Sequence, residues 1–295
     1  MKQVFVFALA LSVLFACQSP KESSSETAAQ DSVIAAPVRL ALKWETDSVL
    51  TTCESVLYDA EKDVLYVSNI NGSPDGRDGN GFISKVSLDG QVTELEWVKG
   101  LDAPKGMGLY KGKLYVTDID RIHEIETASG KISKTHKVEA ASFLNDITVD
   151  SAGSVYVSDS NTGKIHLIEG GKVFTWLEGL QGPNGLHAEG GKLLTALWGS
   201  KALQQVDVAS KEVSMKTDSL EGGDGIEAIG DGAYLVSSWF GTVHHIDKDW
   251  NAFTILDLKP DSANAADIEY IQEKKLLLVP TFSKNTVRAY ELSSN

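Results

Sequence analysis

Cysteine is nearly absent from this chain of 295 residues: Cys17 and Cys53 are the only two, which excludes a disulfide framework or a cysteine-built metal cluster. Proline is sparse as well, seven residues against 26 glycines, so tight turns must rest on glycine. Basic charge is in short supply: 27 Lys and Arg against 41 Asp and Glu leave a net charge of −14. Such an excess of carboxylate repels phosphate backbones and argues against a nucleic-acid partner. No long helical periodicity is present. No G-x-S-x-G elbow, P-loop or dinucleotide glycine fingerprint occurs either, which argues against a serine hydrolase or nucleotide-binding enzyme. What remains is 42% hydrophobic residues, enough for one packed core and too many for a disordered or fibrous chain.

The first 16 residues join Lys2 to an apolar run from Val4 to Ala16, too short to span a membrane and shaped like an export signal. Leu14-Phe15-Ala16-Cys17 resembles the lipobox of bacterial lipoproteins, although Phe15 replaces the small residue usual there. The resemblance implies cleavage before Cys17 and lipidation of that residue. Residues 17–37 are rich in Ser, Ala and Glu and lack aromatics, so they read as a flexible tether of up to about 60 Å. The expected location is the cell envelope, periplasmic or surface-facing, with lipid as the sole membrane attachment. Cys53 is then a lone thiol, expected to be buried and inert on an inner strand.

Self-similarity is the strongest signal in the remainder. Six segments share one pattern, a polar residue, a short apolar strand, a turn and a second strongly apolar strand. They start at Glu54, Lys105, Asn145, Asn184, Asp224 and Asp267, offsets of 51, 40, 39, 40 and 43 residues. A period near 40 is the length of a four-stranded propeller blade. The second strands (Leu65-Tyr66-Val67, Leu114-Tyr115-Val116, Val155-Tyr156-Val157 and their counterparts) are continuous apolar runs, as expected of sheets covered on both faces. The expectation is an all-β fold over residues 38–295, a six-bladed propeller of four-stranded antiparallel blades, and a monomer. The last repeat lacks one strand, and the segment from Val38 to Trp44 has no blade of its own. That N-terminal strand is expected to close the last blade, leaving no sheet edge open.

In such a ring the first strand of each blade lines the central channel, with its leading residue at one mouth. The six leading residues carry three carboxylates, two amides and one ammonium, a sum of −2. Carboxylate and amide oxygens are hard ligands that calcium prefers, and one divalent cation neutralises the sum. The repeats resemble the gluconolactonase–regucalcin (senescence marker protein) family, six-bladed calcium-dependent propellers that hydrolyse sugar lactones. The resemblance spans residue 38 to the end. It implies metal ligation by Glu54 in C-E-S, Asn184 in P-N-G-L and Asp224 in G-D-G-I. It further implies substrate binding by Asn145 in L-N-D, and Asp224 as the general base. Calcium is the expected cofactor, with magnesium, zinc or manganese as alternatives.

Two features depart from that family. Glu54 lies in C-E-S-V rather than E-G-P, and Lys105 puts a cation in the ring. Lys105 either pairs with Glu54 and Asp267 or anchors a substrate carboxylate or phosphate. Residues following the second strands, namely Ile70, Ile119, Ser160, Trp198, Trp239 and Phe282, are expected around the same mouth. Trp198, Trp239 and Phe282 form an aromatic wall suited to a sugar ring. The long segment 69–81 is expected to be an Asx-rich rim loop, and His187 to lie between blades. The leading expectation is a metal-dependent hydrolase of a lactone, sugar-acid derivative or related ester, with Asp267 and Lys105 assisting at the substrate and Asp267 as the alternative to Asp224 as general base. The alternative is a non-catalytic propeller that binds a glycan, peptide or small molecule; a strictosidine-synthase-like or paraoxonase-like relative is a third.

Overall fold

Each repeat forms one four-stranded antiparallel sheet in the computed structural model, which describes Met1 and residues 36–295. The proposed export signal, Cys17 and the tether up to residue 35 lie outside the described residues. Ala36 and Pro37, assigned above to the tether, are already tied down: the Asn295 N–H donates to the Pro37 carbonyl at 3.1 Å. Among the described residues no helix is long and apolar enough to cross a membrane.

The innermost strands are Cys53–Asp59, Pro104–Tyr110, Leu144–Val149, Pro183–Glu189, Gly223–Gly230 and Glu269–Ile271. They sit side by side around an axis, and the sixth meets the first. The Asp267 N–H donates to the Glu54 carbonyl at 2.9 Å, and Ser55 and Asp267 form a parallel bridge. The result is a closed six-bladed propeller. Second strands such as Val155–Asp159 are buried at every residue. Their β-branched and aromatic side chains fill the wedges between neighbouring sheets. Tyr66 and Ile83 of the first blade pack on Met107, Leu114 and Val116 of the second. Leu65, Val67 and Val86 pack on Leu278, Val287 and Ala289 of the sixth.

The sixth blade is assembled from both ends of the described chain. Val38–Glu45 is its outermost strand and pairs antiparallel with Val287–Ser294, from Val38 opposite Ser294 to Glu45 opposite Arg288. A bulge between Leu42 and Trp44 turns Trp44 inward, where it packs against the core shared by the first and sixth blades. Leu40 packs against the sixth-blade core, whereas Leu42 stays on the exposed side of the strand.

Buried Asp side chains brace the loops that lead into the inner strands. Asp118 accepts the N–H groups of Asp102 and Ala103 and is paired with Arg121 and His123. Asp159 repeats this one blade on, accepting the N–H groups of Ser142 and Phe143, with His166 3.8 Å away. Burial alone raises the pKa of both, but these partners outweigh it and hold each at about 2. His123 and His166 are therefore struts.

A chain lacking residues 1–46 cannot complete its sixth blade and exposes the strand Val287–Ser294. Urea unfolding of this truncation should show at least about 3 kcal/mol lost, or no cooperative transition at all. Unchanged stability would mean that the closing strand is an accessory arm.

Candidate functional site

The site begins with a repeated irregularity. In the first five blades the inner strand carries one residue more than its neighbour. The bulges fall between Cys53 and Val56, Pro104 and Met107, Leu144 and Ile147, Pro183 and Leu186, and Gly223 and Ile226. A bulge re-aims side chains by breaking the strict alternation of a strand. Hydroxyls on the second strands hold it: Ser68, Ser158 and Ser237 accept the N–H groups of Ser55, Asp146 and Gly225 at 2.8–3.0 Å. Thr117 donates to the Asn145 carbonyl at 2.6 Å. Close approach is equally demanding. A Cβ on Gly185 would stand 1.5 Å from the Asp224 carbonyl oxygen, so only glycine lets the fourth and fifth inner strands meet there.

Glu54, Lys105, Asn145, Asn184 and Asp224 converge on one cavity of about 350 Å³. All five are at least nine-tenths buried. Asp267 does not join them. In the sixth blade Glu269 pairs with Leu278 as Leu57 pairs with Tyr66 in the first, which places Asp267 in register with Ser55 and Ala266 in register with Glu54. A sixth repeat counted from Asp267 therefore runs one residue ahead of the true register, in which Ala266 holds the leading position. Asp267 lies one step deeper, where it accepts the Ser55 hydroxyl at 2.6 Å. It faces the cavity at the other end of the channel, about 580 Å³. His187 lines that second cavity too, edge-on to Tyr234.

Of the residues after the second strands, Ile70, Ser160, Trp198, Trp239 and Phe282 line the first cavity. Ile119 does not; it is packed with Ile70 and Ala103 below the rim. The aromatic wall is continuous: Trp198 to Trp239 is 6.1 Å between ring centres, and Trp239 to Phe282 is 5.8 Å. Phe240 extends it at 5.4 Å from Trp198. Phe143 and Pro74 also line the cavity, and sequence comparison passed over both because each stands in a loop outside the repeat. Asn69 ends the second strand of its blade and Gly81 begins the third, and residues 70–80 between them form the rim loop, folded on Ser73–Asp75 and Asp78–Asn80 hydrogen bonds. Cys53 is buried, donates to the Thr286 carbonyl, and is pushed up to about 12 by burial, which makes it an inert thiol.

The electrostatics of the mouth are strained. Burial pushes the Glu54 carboxyl well above its ordinary range, and repulsion from Asp224 and Asp267 adds to this while Lys105 opposes it. Asp224 is raised by burial and then by Asp267, with the Asn184 hydrogen bond opposing. The Asn184 Nδ2 donates to the Gly223 carbonyl at 3.2 Å, so its Oδ1 is turned away, buried and without a partner. Glu54 Oε2 is likewise buried and unpartnered. Orphaned oxygens of this kind are rare and call for an explanation. Two carboxylates and an amide oxygen fit a hard divalent cation such as calcium. Among the described residues no group of three His, Cys, Asp or Glu side chains converges on a metal position, so the amide oxygen is essential to this fit. Asn145 donates through Nδ2 to the Ser160 hydroxyl at 3.2 Å, which leaves its Oδ1 as the group able to accept from a ligand.

Neither a protein-family model nor a curated protein matches this sequence. Solved structures do match. A protein described as a candidate gluconolactonase superposes with a TM-score of 0.65 at 17% identity, over 88% of this chain and 92% of its own. Streptogramin B lyase gives 0.61 at 15% identity, over 88% and 97%. A catalytically inactive virginiamycin B lyase from Staphylococcus aureus, with quinupristin, gives 0.60 at 14% identity, over 86% and 99%. The shared property is the propeller. At these identities the likeness carries the architecture alone, and the site must be judged by its own residues.

Two sets of carboxylates set the pH response of the metal-free protein. Asp118 and Asp159, held at about 2, stabilise the fold above about pH 4 and lose that contribution as pH falls towards 2. Asp267 and Glu269, both pushed up to about 7 by burial, act the other way and weaken the fold as pH rises from about 4 to 7. Urea unfolding in chelator should therefore show greater stability at pH 5 than at pH 7.5, and greater stability at pH 4 than at pH 2. A monotonic rise from pH 3 to 7.5 would contradict these assignments.

Proposed function

We propose that this propeller is a divalent-metal-dependent, gluconolactonase-like hydrolase of a lactone or related ester. The single observation that carries this reading is the pair of unpartnered buried oxygens, Glu54 Oε2 and Asn184 Oδ1, lining one cavity with Asp224. A candidate gluconolactonase among its structural neighbours is consistent with that class, although streptogramin B lyases share the same architecture. The lipobox-like run ending at Cys17 supports an envelope-anchored location.

Glu54, Asn184 and Asp224 would hold the ion, most simply calcium, and each offers oxygen in a site shielded from water. When bound, the ion supplies Lewis-acid polarisation of an acyl oxygen. Asp224 takes the proton of the attacking water, a role its position at the axis allows. Asn145 Oδ1 accepts from a substrate hydroxyl and fixes the ring. Trp198, Trp239 and Phe282 present apolar faces to the C–H side of a sugar. The first cavity, about 350 Å³, admits a single small ring.

The exposed aromatics favour a second reading, a non-catalytic receptor for a glycan, peptide or small molecule. Trp198 and Phe240 are each 42% exposed, more than a closed reaction chamber needs. Chelation separates the two, since a receptor of this kind binds through the wall alone.

With millimolar calcium, a panel of sugar lactones should reveal at least one that is hydrolysed, and chelator should abolish the activity. Asp224→Ala should lower kcat/KM by about 10²-fold or more, and Asn184→Leu should raise the calcium requirement. Undiminished turnover by Asp224→Ala would remove Asp224 from the mechanism.

A further inference from the structure

The position of Asp267 changes the charge of the mouth. Glu54 and Asp224 bring two negative charges to the ring and Lys105 one positive, while Asn145, Asn184 and Ala266 are neutral. The ring therefore carries −1 rather than −2. A divalent cation held by Glu54, Asn184 and Asp224 leaves the mouth at +1, against walls of Trp198, Trp239, Phe282 and Phe143 that screen poorly. In a chain of net charge −14 this local surplus of positive charge is an exception that selects for an anion.

Lys105 is where that surplus resides. It is only 1% exposed, yet among the described residues it has no ion-pair partner. Its Nζ donates to the Ala103 carbonyl at 3.0 Å and lies 4.4 Å from the centre of the Phe143 ring. An ammonium has three N–H donors, so two remain for the cavity it lines. The carboxylates that act on it through space are Glu54, Asp118 and Asp75. Asp118 is committed to Arg121, His123 and backbone N–H groups, and Asp75 to Ser73 on the exposed rim loop. A buried ammonium without an ionic partner is costly to maintain. Burial pulls its pKa down, and Glu54, Asp118 and Asp75 oppose this, which leaves it at about 8.

We propose that Lys105 makes the site selective for acyl substrates bearing a separate carboxylate, of the class of dicarboxylic sugar-acid lactones. The ring carbonyl faces Glu54, Asn184 and Asp224, and the free carboxylate pairs with Lys105. The chemistry rests on the hydrolase reading, whereas the selection for an anion is readable in binding alone. In the reaction the water oxygen bonds to the acyl carbon and the ring C–O bond breaks. One water proton ends on the leaving hydroxyl, and the other is released as the new acid ionises. The product then holds two negative charges, one more than the mouth neutralises, which favours its departure.

Two arms keep this inference and the hydrolase reading apart. In the first, tryptophan fluorescence follows the binding of D-gluconate and of uncharged D-glucitol, with calcium present. Wild type should bind gluconate at least tenfold more tightly. Lys105→Arg should keep that preference and Lys105→Met should lose it, with thermal melting confirming that both variants fold. Equal affinities in wild type, no gluconate binding, or an undiminished preference in Lys105→Met would each overturn the inference. In the second arm, kcat/KM for D-glucaro-1,4-lactone should exceed that for neutral D-glucono-1,4-lactone. A preference for the neutral lactone overturns the inference and leaves the hydrolase standing. Anion-selective binding with no lactone turnover supports the role of Lys105 and removes the hydrolase.

Discussion

Pairing of Val38–Glu45 with Val287–Ser294 closes the ring, and the geometry of the axis depends on that closure. A twisted sheet stacked on its neighbours has two open faces at the ends of the stack, and only circular closure covers both. Once closed, six inner strands must share a narrow axis, with first and sixth in direct hydrogen-bond contact. Side chains from positions as far apart as Glu54 and Asp224 are then forced into one small volume. Burial there lifts both carboxyls above their ordinary range, and repulsion from neighbouring carboxylates adds to it.

Crowding of like charges costs free energy, and the fold withstands it because the surrounding shell is rigid. The bulges that aim the ring residues are fixed by the hydroxyls of Ser68, Ser158 and Ser237. The loops before them are pinned by Asp118 and Asp159. Both devices lie outside the cavity and set its shape. The same shell leaves the buried oxygens of Glu54 and Asn184 without partners beside an ammonium that, among the described residues, has no ion pair, and these are the groups on which the proposed cation and anion would depend.

Much of this was legible from the sequence. The repeat period, the unbroken apolar second strands and the missing strand of the last repeat specify a closed six-bladed ring, because each reflects burial on both faces. Five of the six leading residues stand at the mouth for the same reason. Asp267 was misplaced since the aspartate that opens the sixth motif stands one residue beyond the leading position, which Ala266 holds, and a shift of one residue moves a side chain one layer along the channel. Ile119 went to the interior because its blade wall is packed against Ala103, a neighbour no repeat comparison brings into view. Phe143 and Pro74 were missed because loops carry no periodicity. The isolation of Lys105 was equally out of reach, since an ion pair depends on distances across blades.

The most direct test of the account is a crystal structure of the protein grown with millimolar calcium. The account predicts one ion at the mouth, with Glu54, Asn184 Oδ1 and Asp224 as ligands at about 2.3–2.6 Å. A mouth without an ion under those conditions, with Glu54 drawn onto Lys105 as a closed ion pair, would contradict it.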